Sequence, residues 1–144
     1  MTADERYMKM ALEEARVALA QDEIPVGAVV VAHGQVVGKG HNQTETLHDV
    51  TAHAEMQAIT AAAETLGGKY LTGCTLYVTV EPCVMCAGAI GWSQLGRLVY
   101  GAGDEKRGFK KFAPQALHPK TEVVSGVLED ECAQLMKDFF KKKR

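Results

Sequence analysis

The chain lacks most features that would set it apart from an ordinary folded domain. In 144 residues, no apolar run approaches the roughly 18–20 residues that a membrane-spanning helix needs. Proline is scarce at 4, aromatic residues make up 6%, and a single Trp is present. With 47% hydrophobic and 24% charged residues, the composition excludes disordered, collagenous and coiled-coil chains. The length suits one domain, read here as residues 1–144. Met1-Thr2-Ala3-Asp4-Glu5-Arg6 carries acids and no apolar stretch, so the expectation is a cytoplasmic protein without a secretory signal. Cysteine is sparse too, at Cys74, Cys83, Cys86 and Cys132. In such a chain, metal or redox chemistry is a better default than a disulfide framework.

A strong excess of one charge is also missing, the formal net charge being −2. The halves differ, however. Residues 1–96 hold 5 basic against 11 acidic side chains, and residues 97–144 hold 11 against 7, ending in Lys141-Lys142-Lys143-Arg144. This balance argues against a general nucleic-acid coat but leaves room for a local basic face; a solubilising tail is the plain alternative.

What is present is a regular alternation of patterns. Tyr7, Met8, Ala11, Leu12, Ala15, Ala18 and Leu19 form an apolar stripe that predicts a helix from Ala3 to about Gln21. Val26 to Val31 and Gln35 to Gly40 read as a hairpin about His33-Gly34. After a polar loop, a second helix is predicted from about Ala52 to Leu66, with Thr51 as its N-cap. Thr75–Val80 is a β-prone strand, and Pro82 is predicted to open a third helix running to about Ser93. Arg97–Tyr100 reads as a short strand and 101–119 as a Gly- and Lys-rich loop. A strand near Glu122–Ser125 and a helix from about Glu129 to Lys142 complete the chain. The order predicts an α/β layered domain with helices on both sheet faces.

The unusual residues stand at two predicted helix starts, His53-Ala54-Glu55 and Pro82-Cys83-Val84-Met85-Cys86. Residues three apart share a helix face, so both thiols can reach one ion, and a helix N-terminus favours the thiolate that binds metal. One imidazole and two thiolates suit Zn²⁺. Three protein ligands leave the fourth tetrahedral position to water, which marks a catalytic rather than a structural site. Glu55, two residues from His53, need not be a ligand and is placed to move protons beside that water. Taken alone, Cys-x-x-Cys more often marks a structural zinc half-site or a redox pair than a catalytic zinc site, and His-x-Glu has almost no specificity. The two in this order, with Pro before the first Cys, are far more specific.

The sequence resembles the cytidine-deaminase superfamily and, within it, the bacterial tRNA-specific adenosine deaminases. Ile24-Pro25-Val26-Gly27-Ala28-Val29, Gly40-His41-Asn42, His48 to Glu55, Leu76 to Ile90, Val99 to Ala102, Asp104 to Gly108 and Phe139-Phe140 carry the likeness. The resemblance implies a three-layer α/β/α fold with a five-stranded mixed sheet, a homodimer, and conversion of adenosine to inosine at the wobble position of a tRNA anticodon. It implies one Zn²⁺ per subunit on His53, Cys83 and Cys86, with Glu55 as proton shuttle. Asn42 and the backbone of Ala54 would read a flipped-out base, and Val26, Pro82 and Phe140 would pack it. Asp104, Lys106, Lys110 and Lys111 would meet the anticodon stem-loop. Unaided, Asn42 reads as a turn residue at a strand end. The chain departs from the family at Val50, where Pro is usual, at Gly91-Trp92 and at Phe109. Trp92 fits a dimer interface or a stacking platform equally.

Two rival functions remain. Free-base deaminases for guanine or cytosine would use the same metal and Glu55; against them stands the basic charge at Lys106, Arg107, Lys110 and Lys111, which a polyanion needs and a neutral base does not. A non-catalytic, zinc-stabilised RNA-binding module would need a fourth protein ligand, for which Cys74 is the near candidate.

Overall fold

Helix α1 (Ala3–Ala20) begins where the sequence supplies a complete cap: Glu5 N–H donates to Thr2 Oγ1, and Thr2 N–H donates back to the Glu5 carboxylate. The computed structural model describes residues 1–143; Arg144 of the basic tail lies outside the described residues. After α1 come β1 (Gly27–Ala32), β2 (Gln35–His41), α2 (Ala54–Leu66), β3 (Cys74–Val80), α3 (Val84–Trp92), β4 (Arg97–Ala102), α4 (Phe109–Phe112), β5 (Glu122–Ser125) and α5 (Glu129–Lys143). His33 and Gly34, both at positive φ, form the expected hairpin turn between β1 and β2.

The sheet has the order β2-β1-β3-β4-β5. β1 pairs antiparallel with β2 and β3, while β3–β4 and β4–β5 are parallel, so the sheet is mixed and five-stranded as the resemblance implied. Alternate residues feed two cores. Ala28, Val30, Leu76, Val78, Leu98 and Tyr100 face Ala54 and Ala58 of α2, Ala87 and Ile90 of α3, and Phe109 of α4. Val29, Val31, Tyr77 and Val99 face Met8, Ala11 and Leu12 of α1 and Cys132 of α5. This period-two division is why helices cover both faces.

Close approach fixes α2. A Cβ at Gly40 would strike the Ala54 carbonyl and the Ala58 amide, and one at Gly38 would strike the same groups of Ala58 and Ala62. Glycines two apart on β2 thus meet alanines four apart on α2, holding the start of that helix against the end of β2.

Three boundaries differ from the sequence reading. α2 begins at Ala54 with His53 as its N-cap, because the Thr51 hydroxyl and N–H are turned back onto Asp49 Oδ1. α3 begins at Val84 with Cys83 as its N-cap, so Pro82 precedes the helix instead of opening it. Within 101–119, Phe109 is buried under Tyr100 and nucleates the short helix α4.

At the opposite end of the sheet from these caps, Arg97 donates two hydrogen bonds to Asp4 (2.8 and 2.7 Å) and one to Glu122, and Tyr77 Oη donates to Asp4 (2.7 Å). Arg97 holds the Asp4 carboxyl below its usual range despite partial burial. Asp4→Asn is expected to destabilise the fold by about 1–2 kcal/mol in urea unfolding at neutral pH. A carboxylate with a depressed folded pKa contributes stability above its ordinary value, so the difference should vanish as pH falls through 3.8 and below.

Candidate active site

The parallel strands β3 and β4 run in the same direction, and their carboxyl ends carry the chain into Glu81-Pro82-Cys83 and Gly103-Asp104. This is where open α/β sheets place ligands. The antiparallel partner β1 starts at the same end, bringing Val26 alongside, and the Val26 carbonyl accepts the Asn42 N–H (3.1 Å). Gln43 N–H donates to the Ala52 carbonyl (2.9 Å), closing the 43–52 loop at its base and setting Asn42 beside the approach to His53.

Both helix caps point their side chains to one spot. His53 Nδ1 lies 3.6 Å from Cys83 Sγ and 3.5 Å from Cys86 Sγ, and the three donor atoms lie within 4.8 Å of one another. With bond lengths of about 2.3 Å to sulfur and 2.05 Å to nitrogen, a tetrahedral zinc ion would set its N and S ligands roughly 3.5–3.6 Å apart. The three residues therefore fit the geometry of a metal centre, and they form the one such group among the described residues. Cys74 starts β3, a strand about 20 Å long whose other end leads to Cys83, and sits in the core. It cannot complete a four-ligand structural site with these donors.

The protonation pattern suits ligands. The Cys86 thiol hydrogen-bonds the Cys83 thiolate, which pulls Cys83 down to about 4 and, with burial, raises Cys86. The pair thus shares one proton. The Cys83 thiolate in turn raises His53. Glu55 is 4% exposed and stands beside the donors. Burial lifts its carboxyl to about 7, against the opposing hydrogen bond from its own backbone N–H. A group that holds and releases a proton near neutrality is what general acid/base work needs.

The remaining predicted residues are placed unevenly. Asn42 is 5% exposed, and among the described residues its side-chain amide has no hydrogen-bond partner, although no polar side-chain atom is sealed from solvent without one. Ala54 and Pro82, next in sequence to the caps His53 and Cys83, are buried, and Val26 is half-buried. Phe140 packs edge-on against Phe139 on α5 and is 42% exposed. Asp104 Oδ1 accepts the Lys106 and Arg107 N–H groups, and Lys106, Lys110 and Lys111 are exposed next to Cys83, which pairs with Gly108 in a short β-bridge. In the tail, Lys143 pairs with Asp22 (2.6 Å), tying the end of α5 to the turn before β1.

Glu23 lies between α1 and β1, where no sequence pattern marks it. It is 1% exposed and accepts hydrogen bonds from Glu45 N–H, Thr46 N–H and Thr46 Oγ1, anchoring the loop between Asn42 and His53. Those bonds outweigh burial and keep it ionised below its ordinary range. Nothing in the spacing of Glu23 marks it, since its partners are backbone amides more than twenty residues away.

Comparison with known proteins extends the geometric picture. A protein-family profile described as MafB19-like deaminase matches residues 2–144. A tRNA-specific adenosine deaminase of Agrobacterium fabrum is 46% identical over 143 residues, covering 96% of this chain and 94% of its own. The Bacillus subtilis protein of the same name is 44% identical over 149 residues, covering 100% and 92%. A structure solved in studies of A-to-I editing by tRNA:A34 deaminases at the wobble position of transfer RNA superposes with a TM-score of 0.84 at 45% identity, covering 90% and 98%. Guanine deaminase from Nitrosomonas europaea superposes with a TM-score of 0.82 at 27% identity, covering 96% and 85%.

Proposed function

Since the chain belongs to the MafB19-like deaminase family, we propose that it is a tRNA adenosine deaminase, hydrolysing adenosine to inosine and ammonia at the wobble position of an anticodon. The observation that carries the chemistry is the buried Glu55 beside the triangle of His53, Cys83 and Cys86. Relatives 39–46% identical, all tRNA-specific adenosine deaminases, support the substrate.

His53, Cys83 and Cys86 would hold one Zn²⁺, which when bound supplies the Lewis acidity that makes water nucleophilic at neutral pH. Glu55 takes a proton from the attacking water, delivers it to ring N1 as oxygen adds to C6, and then assists ammonia to leave. Asn42 and the Ala54 backbone hold the base edge, an amide being able to donate to a ring nitrogen and accept from an amino group. The base must leave the loop stack to expose C6, and a single-stranded loop lowers the cost of that extrusion. Lys106, Lys110 and Lys111 supply positive charge for the loop phosphates, with Asp104 Oδ2 open to a ribose or base donor.

A homodimer and a cytoplasmic location belong to the same reading; no helix among the described residues is long and apolar enough to cross a membrane. Support for the dimer comes from α3, which is apolar nearly all round yet leaves Val84 and Trp92 exposed, Trp92 at 85%. Trp92 and Tyr70 flank a cavity of about 350 Å³ between α2 and α3.

Incubation with a panel of unmodified tRNAs, with free guanine and cytosine alongside, tests the function. Inosine is expected at the first anticodon position of one or a few tRNAs, with no turnover of the free bases. Deamination of a free base without inosine in any tRNA would replace this reading with the free-base one.

A further inference from the structure

Glu81 takes no part in the chemistry above, yet it is a buried acid, 8% exposed, at the point where β3 leaves the sheet. A carboxylate is held in such a place only when its oxygens are satisfied. Oε1 accepts the Asp104 N–H (3.0 Å) and Oε2 accepts the Lys110 N–H (3.1 Å), so its two oxygens grip the two ends of one basic loop. Gly108 lies directly on the carboxylate, where a Cβ would collide with Glu81 and with the Asp104 carbonyl. The same loop is stitched to the metal-bearing turn: Gly108 bridges Cys83, and Phe109 N–H donates to the Pro82 carbonyl (2.9 Å).

We propose that Glu81 is a positioning residue that folds the 104–110 loop into the shape that docks the polynucleotide, and so sets affinity for RNA separately from the hydrolytic step. The inference rests on the tRNA reading above. Two charge-assisted bonds to backbone amides fix the loop that presents Lys106, Arg107 and Lys110 beside Cys83. Without them the loop keeps its Asp104 turn and its Gly108 and Phe109 contacts but loses the clamp across its two ends, and the freedom so gained must be removed again on binding RNA, which subtracts from affinity. Glu55 and Cys86 lie on α2 and α3, and His53 and Cys83 cap those helices, whose seats in the core through Ala54, Ala58, Ala87 and Ile90 do not involve Glu81; the loop reaches the donors only through the Gly108 bridge to Cys83.

The test compares wild-type protein, Glu81→Gln and Glu81→Ala on an anticodon stem-loop RNA. It measures kcat and KM for inosine formation, metal content, and hydrogen exchange of the Asp104 and Lys110 amides. Glu81→Ala should lose protection at both amides and raise KM roughly tenfold or more, with kcat within about threefold and metal retained. Glu81→Gln keeps one acceptor oxygen, should fall between the two, and carries the comparison if the alanine variant does not fold. An unchanged KM despite lost protection overturns the proposal, as does a fall in kcat or metal content at constant KM. Wild-type protein that makes no inosine in any RNA removes the tRNA reading and this inference with it. Wild-type turnover with unaltered Glu81 variants removes this inference alone.

Discussion

Glu55→Gln protein should bind its metal and its RNA as wild type does and yet form inosine at least about a hundredfold more slowly. General acid/base groups contribute roughly 10²–10⁴ to rate, and Glu55 is asked to serve at three points: proton removal from water, protonation of N1, and release of ammonia. The carboxamide fills nearly the same buried space, so the fold is preserved, but it cannot take up and return a proton. The raised Glu55 carboxyl, near 7 through burial, is what lets the native side chain do both around neutral pH. Single-turnover assays with saturating enzyme check this. A near-normal rate in Glu55→Gln would show that the proton moves by another route.

Removing one metal ligand should have a comparably large effect through a different cause. Cys83→Ala and Cys86→Ala are each expected to lose bound zinc and all measurable turnover, whereas Cys74→Ala should keep both, since Cys74 lies in the core at the far end of β3. Elemental analysis of purified protein reads the outcome directly, and full zinc retention in both ligand variants would refute the assignment. Affinity should also fall as pH is lowered. Cys83 already holds a thiolate at about 4, but Cys86 keeps the shared proton, which the metal must displace. Binding therefore releases a proton and is opposed by acid. Bound metal also stabilises the folded state by mass action, so chelation should lower the unfolding midpoint of wild type and leave that of Cys86→Ala unchanged.

The elements were legible in the sequence wherever burial follows a simple period. The apolar stripe from Tyr7 to Leu19 gives α1 almost to the residue, and the hairpin at His33-Gly34 follows from residues that tolerate positive φ. Helices α2 and α3 start two residues later than local preference places them. Local preference selects Thr51 and Pro82, but the caps fall on His53 and Cys83, whose extended backbones aim their side chains at a common point. Helix α4 was missed because its cause is Phe109 inserting edge-on beneath Tyr100, a contact no local pattern announces.

The donor set and Glu55 were visible because catalytic chemistry restricts residue type, and the two short motifs keep their members within three residues of one another. The alternation of elements determined the α/β class, and the two motifs brought forward His53, Cys83, Cys86 and Glu55 as candidates that the structure sets side by side. Only the tertiary structure decided what holds them together. Glu23 and Glu81 act on backbone amides more than twenty positions away, and any residue supplies an amide, so neither leaves a trace in composition or spacing. The closure of Gln43 on Ala52, the seating of glycines 38 and 40 on α2, and the burial of Asn42 likewise depend on which strands pair and how closely a helix can lie on them. Side-chain identity carries chemistry, but backbone groups are the same at nearly every position. What they bind is therefore set by chain path alone.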